Sequence, residues 1–224
     1  MTDSPDRPRR FDLVVFDWDG TLFDSTALIV HSIQAACRDL GLPVPDDERA
    51  SWVIGLSLHG ALKHAVPDIL PEQLPQMVER YRFHYLARQH DLTLFPGVLE
   101  LLHALKARHH WLAVATGKSR AGLDDALLSV ELKGMFDGTR TADETRSKPD
   151  PQMLLELMRE FGSAPERTLM IGDTTHDLQL AANAGTPSVA VAYGAHQTSE
   201  FSAHSPLFVA QTVAGLAAWL QAHA

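Results

Sequence analysis

Four stretches of the chain are short, continuous and apolar: DLVVF (12–16), WLAVATG (111–117), TLMIGD (168–173) and PSVAVAYG (187–194). Apolar runs of this length, closed by glycine or polar turn residues, predict strands buried on both faces of a sheet. GTRTAD (138–143) and LFVA (207–210) are weaker strand candidates. Helical spacing fills the gaps at about 97–108, 119–130, 150–161 and 175–184. Strands alternating with helices predict an α/β fold with a parallel sheet and right-handed crossovers.

Residues 24–91 break the alternation. STALIVHSIQAACRDLGL (25–42) has helical spacing and ends near Gly41, with Pro43 following. PEQLPQMVERYRFHYLARQH (71–90) is helical as well, and no strand pattern separates the two. LTLFPGV (92–98) returns the chain to the α/β pattern. The expected organisation is therefore a discontinuous core, 1–23 and 92–224, with a helical cap over 24–91. An insertion just after the first strand sits above the carboxyl ends of the sheet, where open α/β sheets bind ligands.

Composition narrows the class. The chain has 224 residues, 45% hydrophobic and 21% charged, an ordinary globular balance. A formal net charge of -9 argues against general binding to nucleic acid or a membrane surface. Cys37 is the single cysteine, so an intrachain disulfide is impossible, and its place in a helical pattern predicts a buried core thiol. The opening MTDSPDRPRR lacks the apolar run of a secretory signal and is expected to be a loose polar tail. No apolar run has membrane-spanning length, so the cytoplasm is the default location.

The candidate chemistry lies where the strands end. The first strand delivers Asp17 and Asp19, with Gly20 and Thr21 behind them. The second delivers Thr116 and Gly117, and the third long run ends at Asp173, with Asp177 four residues on in GDTTHD. SKPDP (147–151) places Lys148 just before a helix start. In a parallel sheet these positions converge on one edge: four carboxylates, a hydroxyl and one ammonium. Singly, each has a plain structural use, and Asp177 alone suits a helix cap as well as a site. Together, the carboxylates require a cation. A hard divalent ion such as Mg²⁺ fits, and it is commonly bound by one or two carboxylates and a substrate phosphate. The Gly20–Thr21 turn and the helix start after Thr116 can supply N–H donors to that phosphate.

DWDGT, AVATG, KPDP and GDTTHD, in this order and over nearly the whole chain, resemble the four motifs of the haloacid dehalogenase superfamily. The chain is most similar to its phosphoglycolate-phosphatase-like branch, which carries a helical cap after the first motif on a Rossmann-like core. Trp18 stands where Leu or Met is usual between the two aspartates, and only a packing effect is expected. The resemblance implies a phosphatase acting on a small phosphorylated metabolite, such as a phosphoglycolate-like or sugar phosphate, as a monomer or homodimer. It implies that Asp17 is the nucleophile, forming an aspartyl phosphate, and that Asp19 is the acid and base. Mg²⁺ would be held by Asp17, Asp173 and the backbone carbonyl of Asp19. Thr116 and Lys148 would orient the phosphoryl group, assisted by Gly20 and Gly117. Asp177 would bind metal-ligated water or hold Lys148.

Rivals remain at this point. A sugar-phosphate mutase or a pyrophosphatase would share every motif. Dehalogenases and phosphonatases lack the second aspartate of the first motif, so Asp19 argues against both. A phosphoaccepting receiver module also gathers acids, a Thr and a Lys at strand ends, but without an insertion over the site. Substrate identity is not encoded in any motif. Arg49, His59, Lys63, His64, Arg80, Arg82 and Arg88 are candidate cap contacts, each with a solvated helix face as the plainer reading. Lys63, the only lysine in 24–91, could in principle form a Schiff base. The histidines of RHH (108–110) are expected at the surface.

Overall fold

The computed structural model describes residues 9–130 and 132–224. The expectation for the N-terminal tail falls almost entirely on residues 1–8, which lie outside the described residues. Six strands form one sheet: β1 (Leu13–Phe16), β2 (Trp111–Thr116), β3 (Gly138–Thr141), β4 (Thr168–Gly172), β5 (Ser188–Val191) and β6 (Val209–Ala210). All pairings are parallel, in the order β3-β2-β1-β4-β5-β6. This is the Rossmann-like arrangement, with the first strand in the middle and the chain winding outward on either side.

The apolar runs explain why. Alternate residues of a strand point to opposite faces. Val14 and Phe16 join one hydrophobic cluster with α5 (Val98–Ala107), α6 (Arg120–Ser129) and α10 (Val213–His223). Leu13 and Val15 join another with α7 (Gln152–Phe161) and α8 (Thr175–Ala184). A strand covered on both faces needs no polar alternation, and β1 is wholly buried. The weaker candidates, β3 and β6, are the two edges, which are less covered and therefore carry less pattern. α10 had no sequence-based expectation. Its run of alanines and glycine gives little contrast between faces, yet Leu216 and Leu220 pack into the core.

Between β1 and α5 stand α1 (Thr26–Asp39), α2 (Asp47–Trp52), α3 (Leu58–Ala65) and α4 (Leu74–Arg88), with no strand among them. They share a separate hydrophobic cluster that includes Ile33, Cys37, Leu62 and Met77. Cys37 is fully buried there, and burial pushes its thiol up to about 11. It is a packing residue, as expected. The two crossings between this helical layer and the sheet lie side by side. Phe23 and Leu94 form an antiparallel bridge, flanked by hydrogen bonds from Asp24 N to Thr93 O (3.0 Å) and from Phe95 N to Leu22 O (3.0 Å).

One expectation fails. In RHH, His109 is exposed, but His110 is buried at 2% exposure, donating from Nδ1 to the Phe11 carbonyl at 2.9 Å. It sits directly before β2, and Trp111 N bonds to Asp12 O, so the sheet draws the preceding ring inward. Charged neighbours in the sequence gave the opposite impression. Trp18 is fully buried against Phe23 (5.5 Å between ring centroids) and Phe136 (6.3 Å), in keeping with a packing role.

Candidate active site

Asp17 follows the last residue of β1, Asp173 follows the last residue of β4, and Thr116 ends β2. Since β1 lies between β2 and β4 and all run the same way, the three side chains arrive at one edge. Asp177 comes from the first turn of α8, and Lys148 from the loop before α7. Lys148 Nζ lies 2.6 Å from Asp17 Oδ1 and 2.6 Å from Asp177 Oδ1. These three side chains are at most 1% exposed.

Asp17, Asp173 and Asp177 each offer a carboxylate oxygen within 4.8 Å of the others. Asp173 accepts from Thr21 Oγ1 (2.9 Å) and from the backbone N–H of Ala195 (2.7 Å). Asp177 combines the two uses open to it in the sequence. Its Oδ2 accepts from Thr174 N (3.1 Å) and Thr174 Oγ1 (2.7 Å), closing a capping box on α8, while its Oδ1 holds Lys148. Asp17 differs from both. Lys148 fixes its Oδ1, but its Oδ2 is buried with no hydrogen-bond partner among the described residues.

One ammonium cannot balance three buried carboxylates. Burial, with Asp177 and Asp19 nearby, pushes Asp17 up to about 7 despite Lys148. Burial and the charges of Asp17 and Asp177 likewise push Asp173 well above the usual carboxylate range. Burial works to lower Lys148, but Asp17 and Asp177 outweigh it and keep the ammonium charged. The donor set is hard oxygen and the charge is uncompensated, and both features fit a divalent cation such as Mg²⁺.

Asp19 stands apart from this trio. Its Oδ1 accepts from Ser25 Oγ at 2.6 Å, and its Oδ2 lies 3.1 Å from Lys118 Nζ. Lys118 also donates to the Tyr85 hydroxyl of α4 at 3.2 Å. Burial acts to lower Lys118, but Asp19 and the tyrosines Tyr85 and Tyr81 raise it above its ordinary value. Lys118 was not singled out from the sequence. The available signal was its position, directly behind Thr116 and Gly117 at the end of β2.

Two glycines are required by the backbone. Gly20 has φ +82°, and a Cβ there would come within 2.2 Å of Asp173 Oδ2. A Cβ on Gly117 would meet the carbonyl oxygens of Leu56 (2.3 Å) and Gly55 (2.5 Å), so the helical layer touches the sheet edge backbone to backbone. Thr116 is buried, and its Oγ1 accepts from Lys118 N at 3.2 Å. Further contacts join the layers. Ser57 N donates to Ser147 Oγ (2.9 Å), and His176 and His196 each donate from Nε2 to the Trp52 carbonyl (2.8 and 2.9 Å). Burial first, and then the neighbouring ring, lowers His176 to about 4.

A cavity of about 780 Å³ opens between the helices and the edge, with Asp19, Gly117 and Lys118 in its wall. Of the candidate cap contacts, His59 and Arg82 line it. Arg49, Lys63 and His64 are exposed and do not. Arg80 pairs with Asp39 at 2.7 Å, and Arg88 reaches toward Asp91 at 3.9 Å. Lys63 is thus not placed for a Schiff base in this cavity.

The chain is similar to known proteins in sequence and in fold. The family described as Haloacid dehalogenase-like hydrolase matches residues 14–191. A probable phosphatase IndB of Dickeya dadantii is 36% identical over 206 residues, covering 89% of both chains. A phosphoglycolate phosphatase of Mannheimia succiniciproducens is 29% identical, over 92% of this chain and 97% of its own. The crystal structure of a predicted phosphoglycolate phosphatase from Haemophilus somnus superposes with a TM-score of 0.83 at 26% identity, over 92% of this chain and 96% of that one. The motifs, the sheet order and these likenesses agree: the chain belongs to the haloacid dehalogenase-like hydrolases, in the phosphoglycolate-phosphatase-like branch, and is an enzyme of the phosphatase type.

Proposed function

We propose that the protein hydrolyses a small phosphate monoester with Mg²⁺, through an aspartyl phosphate on Asp17. The observation that carries this reading is the asymmetry of Asp17. Lys148 holds one oxygen, and the other is buried, has no hydrogen-bond partner among the described residues and is free to attack. In the first step Oδ2 attacks phosphorus and the P–O bond to the alcohol breaks. Asp19 gives its proton to the departing oxygen. In the second step Asp19 takes a proton from water, the water oxygen attacks phosphorus, and the Asp17–phosphorus bond breaks to release inorganic phosphate. Lys148, Thr116 and the N–H groups around Gly20 and Gly117 orient and neutralise the phosphoryl oxygens.

Asp17 and Asp173, with the backbone carbonyl of Asp19, would hold Mg²⁺, and Asp177 would steady Lys148. Bound there, the ion supplies positive charge to the carboxylates and to the phosphoryl group. Residues 24–91 act as a cap over the reaction, swinging on the paired crossings near Phe23–Asp24 and Leu94–Pro96. The substrate is a small phosphorylated metabolite, and the protein works in the cytoplasm as a monomer or homodimer. No helix among the described residues is long and apolar enough to cross a membrane.

The test is turnover of p-nitrophenyl phosphate with Mg²⁺, with and without a strong chelator. Activity should fall to background on chelation, return with Mg²⁺ and be inhibited by excess Ca²⁺, whose looser geometry misplaces the nucleophile. Full turnover in chelator would overturn the metal assignment.

A further inference from the structure

We propose that the alcohol half of the substrate carries a flat, largely apolar ring that lies against the cap, an inference that rests on the phosphatase reading above. The cavity of about 780 Å³ is in the range that encloses a drug-sized ligand. The ester of a two-carbon acid would leave most of it to water. On the side of the helical layer its wall is mostly apolar and includes Ile33, Ile54, Leu56, Tyr81 and Tyr85, while the polar lining, Ser119, Asp125, Ser129 and Asp143 among it, comes from the sheet side. Tyr81 and Tyr85 stack with ring centroids 5.9 Å apart at 21°, one turn from each other on α4. Such rings favour an offset or edge-on aromatic neighbour.

The charges point the same way. A carboxylate in this cavity would need a cation, since burying an unpaired charge is costly. Lys118, the cation nearest Asp19, already holds that carboxylate and the Tyr85 hydroxyl. Arg82, His59 and His90 also line the cavity, but all three are exposed, so water competes for whatever they touch. The helical side of the wall thus rewards apolar surface, Asp125 and Asp143 on the other side repel an acid, and among the described residues the wall offers no unengaged buried cation to one.

The experiment compares ethyl phosphate, 2-phenylethyl phosphate and phosphoglycolate with Mg²⁺. All three release an alkoxide, so bond breaking makes similar demands and the difference reports the wall. The ring should raise kcat/KM over both other esters by on the order of 10- to 100-fold, mainly through KM. Binding of 2-phenylethylphosphonate and ethylphosphonate, which cannot be hydrolysed, should show the same preference in calorimetry. Tyr81→Ala should shrink the preference, and Tyr81→Phe should keep it. If phosphoglycolate or ethyl phosphate is turned over as well as the ring ester, the inference is overturned while the phosphatase reading stands. If no ester is turned over but the ring phosphonate still binds better, the phosphatase reading fails and the apolar site survives. Equal binding of the two phosphonates sinks the inference whatever the turnover.

Discussion

At the sheet edge, Asp17, Lys148, Asp173 and Asp177 arrive from distant parts of the chain and are shielded from water. In the helical layer above, most charged residues face outward, and Arg82, which lines the cavity, is itself exposed. Arg80 meets Asp39, Arg88 reaches toward Asp91, and Lys63 is exposed. Surface pairs of that kind add little stability. What the layer turns toward the edge is mostly apolar: Ile54, Leu56, Tyr81 and Tyr85. The contrast teaches where each kind of information resides. Reactivity needs charge that water cannot relax, so the edge carries it at a cost in desolvation. On the reading proposed above, selection needs only shape and apolar area, which the helices supply with ordinary packing residues.

The comparison is broken most severely at Asp17. Asp17→Asn should lower turnover of p-nitrophenyl phosphate by about 10⁴-fold or more and abolish any nitrophenolate burst. Asp19→Asn should keep the burst, because a nitrophenolate scarcely needs a proton, and then stall as the phosphoenzyme. Loss of that acid–base assistance is worth roughly 10²- to 10⁴-fold. Stopped-flow absorbance separates the two variants. A burst in Asp17→Asn, or parent rates on alkyl phosphates in Asp19→Asn, would reverse the assignment.

A smaller effect is expected where the two regions touch. Gly117→Ala puts a methyl against the Leu56 and Gly55 carbonyls, so the helices must lift away. Activity should drop by on the order of 10- to 100-fold, since misplacement by about 1 Å can cost about 10²-fold. The far-UV circular dichroism should be unchanged. Parent kinetics in this variant would mean that close apposition is not needed for turnover.

The smallest effect lies in the core alone. Burial lowers His110 to about 4, against an ordinary histidine value near 6.5. The folded state therefore favours the neutral ring. This contribution to stability is complete above about pH 6.5 and is lost as the pH falls toward 4, by up to roughly 3 kcal/mol. In urea titrations, His110→Gln should flatten the decline of stability over that window. An identical slope in the variant would show that His110 does not take up the proton.

The sheet and its polar edge were legible because both follow from local rules. A strand buried on two faces reads as a continuous apolar run, and the polar residues that break the run mark its end. Asp17, Thr116 and Asp173 fall together on that rule alone. Other features leave no such mark. Ile54 and Leu56 face a cavity, yet their pattern is that of any packed helix or turn. Lys118 looks like a solvated lysine until Asp19 and Tyr85 are seen beside it. His110 takes its burial from a neighbouring strand, which no window around RHH contains. In each case the deciding neighbour lies far away in the chain.

The short ribbon formed by Phe23 and Leu94 has a consequence for how such a molecule can change. The chain leaves the sheet and re-enters it at nearly one point, so whatever is spliced between the two crossings need only begin and end together. The register of β1 against β2 and β4 is fixed by residues outside that stretch, so changing its length need not disturb the sheet. A laboratory graft therefore has a ready-made seam at which to cut, provided that the new stretch restores the backbone apposition at Gly117 and a partner for Lys118.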